Sequence, residues 1–148
     1  MTNVSTTDVK HVSDIVQVLN SGIEFYSDAK EKVDNPQLTQ FFDRMINARK
    51  TVKQKLQPFA IAEEGKVEQG SAFTVEVRNI YTKIIGSMSS DKEHTYISQL
   101  EEVEDKTLEE IRTALHKKQP VDCEAALLSA LATMQECHDE MRALKRSS

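Results

Sequence analysis

The apolar residues of this chain recur every three or four positions over four long stretches, with polar residues between them. That spacing is typical of helices that bury one face. It predicts four long helices, over residues 8–33, 36–64, 91–118 and 121–146. Asn35-Pro36 separates the first two, because the residue before a proline disfavours the helical conformation and proline suits the first position of a new helix. So short a connection predicts that the second helix runs antiparallel to the first.

Two segments are less regular than these helices. Residues 72–88 have apolar residues at helical spacing, but their many β-branched side chains would also suit a strand. A lone strand would have no partner, so we predict a short helix on a long crossover. Pro58 lies within the second helix, where it predicts a kink, or a break followed by one more turn. Residues 1–7 are predicted to be disordered.

The order of these elements predicts an all-α fold. Two helices, a long crossover with a short helix, and two further helices form a four-helix bundle with one long connection, which is the ferritin-like topology. The 148 residues fit one domain that spans residues 1–148. Only 4 glycines and 3 prolines are present, so the chain has little of the turn chemistry that a sheet protein needs.

Charge and cysteine content narrow the range of partners and compartments. A net charge of −5 and a pI near 5.4 argue against nucleic-acid binding, which normally requires a basic face. No apolar stretch approaches the roughly 20 residues of a membrane span, and residues 1–10 show no secretory signal. Cys123 and Cys137 form no CxxC pattern, so we expect two reduced thiols and a cytoplasmic protein.

Polar residues interrupt the apolar stripes near the middle of three helices. They are Arg49 on the second helix, Glu104 on the third long helix, and His138 on the last, with Gln135 on its flank. In an aligned bundle these residues would meet at the centre. An isolated buried charge is costly, so Arg49 and Glu104 are expected to pair, with His138 and Gln135 completing the network. The alternative is that one or more of them lies at the bundle edge and reaches solvent.

Three stretches of the sequence carry a resemblance to a known family. They are NSGIEFYSDAKEKVDNPQLTQFF, LEEVEDKTLEEIRTAL and QECHDEMRALKR. The first resembles the opening helices, and the other two the closing helices, of a ferritin-like family of uncharacterised bacterial proteins, domain of unknown function 2383. The similarity runs over most of residues 10–146 and is weakest through 60–92. It implies a four-helix bundle without an established activity, and it suggests a role related to stress.

The resemblance also implies which positions would hold a metal. Di-iron proteins of the wider superfamily carry a Glu, an ExxH, a second Glu and a second ExxH on successive helices. Those positions are here Leu19, then Arg49 and Val52, then Glu104, then Gln135 and His138. Only Glu104 and His138 keep a ligand, so no metal and no catalytic residue are expected. We expect Arg49 to supply the positive charge beside Glu104 instead.

These inferences favour a non-enzymatic bundle that self-associates as a homodimer, with neither nucleic acid nor membrane as a partner. The first alternative is a ferritin-like protein that binds iron or manganese through Glu104 and His138, with an oxidoreductase or iron-handling role. The second is a carrier that binds a small apolar ligand between helices. Its binding surface would include Met45, Met134 and Met141, although such a stripe is more often plain core.

Overall fold

A computed structural model describes residues 9–65 and 92–147 of the chain. These residues form four helices: α1 (Val12–Lys32), α2 (Pro36–Glu64), α3 (Lys92–Leu115) and α4 (Val121–Ser147). No strand occurs in either stretch, so the prediction of an all-α four-helix bundle is confirmed. The short helix predicted over 72–88 and the disorder predicted for residues 1–7 lie outside the described residues.

The four helices enclose one apolar core. α1 packs against α2 and α3, and α4 packs against α3 and α2, so the helices close into a four-sided bundle. Apolar residues from all four helices are buried together in one cluster. The spacing of apolar positions by threes and fours therefore produces the packing expected from it, with one face of each helix turned inward. None of the helices in the described part of the chain has the length and apolar character that crossing a membrane would require.

Local sequence signals set the two ends of α2. The side chain of Asn35 accepts hydrogen bonds from the backbone N–H groups of Gln37 (3.0 Å) and Leu38 (3.3 Å). Pro36 occupies the first helical position, where its missing N–H would have had no helical partner. Gly65 ends the helix with a φ of 79°, a left-handed conformation that glycine adopts without strain. The predicted and observed bounds of this helix are therefore the same, 36–64.

α1 begins later than residue 8, where the sequence predicted its start. His11, with a φ of 67°, precedes the helix and does not cap it through its own side chain. The carboxylate of Glu63, at the far end of α2, instead accepts the backbone N–H groups of Val12 at 2.9 Å and Ser13 at 2.8 Å. The unpaired N–H groups of the first turn are thus satisfied by a residue distant in sequence.

α2 continues through Pro58 to Glu64, so the predicted break does not occur there. The predicted kink stays a prediction. Leu56 and Ala60, which flank the proline, are both fully buried. Their burial stabilises the helical path although the proline ring removes one backbone hydrogen bond.

Candidate functional site

The largest fully buried side chain of the described residues is a charged one, that of Arg49 on α2. Its Nη2 donates to Oε1 of Glu104 and to Oγ1 of Thr107, both on α3 and both at 2.8 Å. Its Nη1 lies 3.4 Å from the backbone carbonyl oxygen of Val18 on α1. The guanidinium therefore joins three helices at the centre of the bundle.

Glu104 is the anion of this site, and its exposed fraction is 0%, as is that of Arg49. Besides Arg49, the phenol of Tyr26 on α1 donates to Oε1 of Glu104 at 2.7 Å. One carboxylate oxygen thus accepts two hydrogen bonds, one of them from a cation. Among the described residues, neither Oε2 of Glu104 nor Nε of Arg49 has a hydrogen-bond partner. We call Tyr26, Arg49, Glu104 and Thr107 the central cluster.

Gly22 on α1 makes the room that the guanidinium of Arg49 occupies. A Cβ at this position would lie within 2.6 Å of Nε of Arg49 and closer still to two other guanidinium atoms. The Tyr26 ring lies one turn further along α1, with its centre 5.7 Å from Cζ of Arg49. α1 therefore offers the cation an opening in its backbone surface and an aromatic face beside it.

The electrostatics of the central cluster keep Arg49 charged and Tyr26 neutral. Burial works to lower the pKa of Arg49, but the charge and hydrogen bond of Glu104, together with Tyr26 and Cys137, outweigh burial and raise that pKa overall. Burial raises the pKa of Tyr26 well above its usual value, and the Glu104 carboxylate raises it further, against the opposing effect of Arg49. At neutral pH the phenol is therefore a hydrogen-bond donor to a buried ion pair.

The charges of this ion pair affect the pKa of Cys137 on α4. Burial, and then the Glu104 carboxylate, raise its pKa to about 12. The second free cysteine, Cys123, is also buried, and its pKa is raised to about 11. Both thiols are protonated at neutral pH, and a protonated thiol is a poor nucleophile.

His138 and Gln135 lie outside the central cluster, contrary to the sequence expectation. The ring Nε2 of His138 lies 2.5 Å from Oδ1 of Asp105, and its Nδ1 lies 3.4 Å from Oδ1 of Asp139. Gln135 is half-buried; it accepts from Arg112 at 3.0 Å and donates to Asp139 at 3.1 Å. Asp105 is more than half exposed and draws the imidazole outward, so these residues form an outer seam between α3 and α4.

The structure adds Tyr26, Thr107 and Gly22 to the residues expected at the centre. Tyr26 lies three residues after Ile23 on α1 and so continues the apolar stripe of that helix, since a phenol has an apolar body and a single polar atom. Thr107 lies one helical turn after Glu104 and therefore on the same face of α3. That spacing from a charged interior residue is the feature of the sequence from which Thr107 could have been predicted.

The residues present do not fit a di-iron or dimanganese centre. Leu19 and Val52 are core side chains that offer no donor atom, with exposed fractions of 0% and 2%. Arg49, at another position that the resemblance gives to a ligand, is a cation paired with Glu104. Over residues 9–65 and 92–147, no group of three or more His, Cys, Asp or Glu side chains could hold a metal ion.

Comparison with known proteins identifies the family of the chain. The family described as a domain of unknown function (DUF2383) matches residues 7–117, which is more than half of the chain. No curated protein and no solved structure matches.

Proposed function

The chain belongs to the family described as a domain of unknown function (DUF2383). We propose that it is a non-enzymatic helical bundle. In this proposal an arginine–glutamate pair replaces the metal centre of a ferritin-like protein. The protein also associates through its surface to form a homodimer. The observation that carries it is the fully buried pair of Arg49 and Glu104, joined at 2.8 Å.

Binding of a divalent ion at Glu104 would be unfavourable because of the residues around it. The ion would have to displace the guanidinium of Arg49 from Oε1, or lie beside it in a medium of low dielectric constant. Displacement would leave a buried cation without a counter-charge, and such an uncompensated charge costs about 3–5 kcal/mol. The site is thus already neutralised by the chain itself, which supports a structural role for Glu104.

The alternative of iron or manganese bound by Glu104 and His138 has less support. The two ring nitrogens of His138 lie beside Asp105 and Asp139, and Oε1 of Glu104 already accepts two hydrogen bonds. An apolar ligand between the helices has less support too, since Met45, Met134 and Met141 are buried within the packed core.

Elemental analysis tests the non-enzymatic proposal most directly. Protein purified from cells grown with added iron and manganese should contain far less than one equivalent of either metal per chain. A stoichiometric metal content that Glu104→Gln abolishes would contradict the proposal. His138→Ala is the matched variant, because it removes the other retained ligand position without disturbing the central ion pair.

Exposed apolar side chains on α4 support the proposed self-association. Val121 and Leu128 are seven residues apart, hence on one face of the helix, and they are 79% and 51% exposed. Analytical ultracentrifugation should find a dimer that Leu128→Gln weakens. The matched control is Ile61→Gln on α2, whose side chain is 37% exposed. A monomer at all concentrations, or equal weakening by both variants, would contradict the homodimer.

The proposed compartment and role are the cytoplasm and the response to stress. The two free thiols, Cys123 and Cys137, support a reducing compartment. The stress-related role rests on the family resemblance. A strain that lacks the gene should grow normally and survive heat or oxidant exposure less well, with rescue by the wild-type gene and weaker rescue by Leu128→Gln. Equal survival of both strains would contradict this role.

A further inference from the structure

A surface cavity lies between α3 and α4, away from the central cluster. It has a volume of about 490 Å³, and its lining residues are His94 and Glu101 of α3 and Arg142, Lys145 and Arg146 of α4. Sites for small molecules commonly have volumes of about 300–1,000 Å³. The cavity therefore has the size of a small-molecule site, and neither the fold nor the family match accounts for its charged lining.

The lining is strongly positive in a chain that is negative overall. Three cationic side chains face a single carboxylate, that of Glu101, whereas the whole chain has a net charge of −5. Glu101 accepts from Nζ of Lys145 at 2.9 Å and lies 3.5 Å from Nε of Arg142. Burial works to raise the pKa of Glu101, but its contacts with Lys145 and Arg142 outweigh burial and lower that pKa. The carboxylate thus stays ionised and fixes two of the cations at the cavity wall.

The two arginines keep donor groups for a ligand. Arg142 contacts Glu101 through Nε, and its guanidinium has further N–H donors on the two terminal nitrogens. Arg146 has no ion-pair partner within the described part of the chain. A guanidinium matches the geometry of a phosphate with paired hydrogen bonds, and two such groups beside one cavity favour a doubly charged anion.

We propose that this cavity binds a small phosphorylated molecule, with the phosphate on Arg142 and Arg146 and the remainder of the ligand in the cavity. Lys145 and His94 line the same cavity, and the charge of Lys145 adds to its positive potential. A long polyanion such as nucleic acid would extend beyond this positive region over a surface of the opposite overall charge. A small anion contacts only the positively charged cavity. The net charge of −5 therefore disfavours a long polyanion more than a small one.

Isothermal titration calorimetry of the full chain tests this site. The probes are ribose 5-phosphate and inorganic phosphate, with ribose as the uncharged control, all at one ionic strength. We expect saturable binding of ribose 5-phosphate at one site per chain and no binding of ribose. Arg142→Gln and Arg146→Gln should each weaken the affinity about tenfold or more, because each removes a charge-assisted contact with the phosphate.

Arg44→Gln is the matched control, because it removes one positive charge from α2, outside the cavity lining. It should change the affinity by less than about twofold, because Arg44 is paired with Glu140, does not line the cavity and is exposed to screening by salt. Equal weakening by Arg44→Gln, or no saturable binding of either phosphate probe, would overturn the proposal. Vesicles containing a phosphoinositide and a duplex oligonucleotide are the remaining arms. Binding to either of these without binding of ribose 5-phosphate would also overturn it.

Discussion

Glu104 and Glu101 lie one helical turn apart on α3, and each contacts cations from another helix, yet their surroundings differ completely. Glu104 and its partner Arg49 are both 0% exposed. Glu101 is itself only 12% exposed, but it lies at the wall of an open cavity, and its partners Lys145 and Arg142 are 39% and 49% exposed. A turn of a helix therefore separates an ion pair without solvent from one that solvent screens. The two carboxylates allow the effect of burial to be measured with the residue type and the helix held constant.

Burial changes what each ion pair does for the protein. Water solvates the partners of Glu101 when the carboxylate is removed, so an exposed pair contributes only about 0–1 kcal/mol. No water replaces Glu104 beside Arg49, so losing either partner leaves an uncompensated charge in the core. The interior pair thus fixes how α1, α2 and α3 must meet, while the outer pair holds donor groups at a cavity.

The largest expected effect is that of Glu104→Ala. This variant leaves the guanidinium of Arg49 buried without its counter-charge and should lower the free energy of unfolding by about 3–5 kcal/mol. Equilibrium unfolding in urea measures the change, with Glu101→Ala as the matched variant one turn away. A loss below about 1 kcal/mol, as expected for an exposed pair, would show that Glu104 is not held as an interior anion.

The double variant Arg49→Met/Glu104→Leu keeps the test informative if Glu104→Ala fails to fold. Replacing both partners of a buried pair by apolar residues of similar volume is often neutral, or stabilising by about 1–4 kcal/mol. The double variant should therefore be far more stable than Glu104→Ala. Similar destabilisation in both proteins would mean that lost packing, rather than the unpaired charge, sets the cost.

Tyr26→Phe removes one hydrogen bond from the same carboxylate and leaves Arg49 in place. Hydrogen bonds to charged groups contribute about 1.5–3 kcal/mol, so the free energy of unfolding should fall by about that much. The same substitution in the Arg49→Met/Glu104→Leu background should have almost no effect, because the charged acceptor is gone. Equal losses in the two backgrounds would show that the phenol does not act through Glu104.

Gly22→Ala tests the opening that α1 gives to the guanidinium. In an ordinary helix interior, alanine is more stable than glycine by about 1 kcal/mol. Here the new Cβ would overlap Arg49, and overpacking of a core costs about 1–3 kcal/mol. The substitution should therefore destabilise the protein, as measured by urea unfolding, and should become neutral or stabilising once Arg49 is replaced by Met. A stabilising effect in the wild-type background would contradict the close approach.

The fold could be predicted from the sequence wherever the signal for an element is local. Asn35, Pro36 and Gly65 cap α2 with their own atoms, and its observed bounds match the predicted ones. The start of α1 could not be predicted in the same way, because Glu63 caps it from a distant part of the sequence. A cap supplied by another helix becomes visible only after the helices are packed.

The central cluster could be predicted only in part, because helical periodicity gives the face of a residue and not its partner. Arg49 and Glu104 are charged residues on apolar stripes, where a charge requires a counter-charge, and they lie together. Tyr26 fitted its apolar stripe and gave no such signal. His138 occupies an interior position too, but its imidazole reaches the edge of the helix and contacts the carboxylate of Asp105 there. The choice between these two directions depends on the neighbouring helix.

The smallest expected effect is that of Glu101→Gln, and its pH dependence completes the comparison with Glu104. In the folded protein, Lys145 and Arg142 hold the pKa of Glu101 below its ordinary value of 4.5. The ion pairs therefore stabilise the fold fully above the ordinary pKa, and their contribution disappears as the pH falls through the lowered pKa.

At pH 7 the Glu101→Gln variant should be less stable than the wild type by no more than about 1 kcal/mol. The difference between variant and wild type should shrink at high salt, since the partners are exposed, and should vanish in acid. A difference in stability that persists in strong acid would mean that Glu101 acts through packing. The contrast between Glu101 and Glu104 would then come from side-chain packing and not from the solvent screening of their ion pairs.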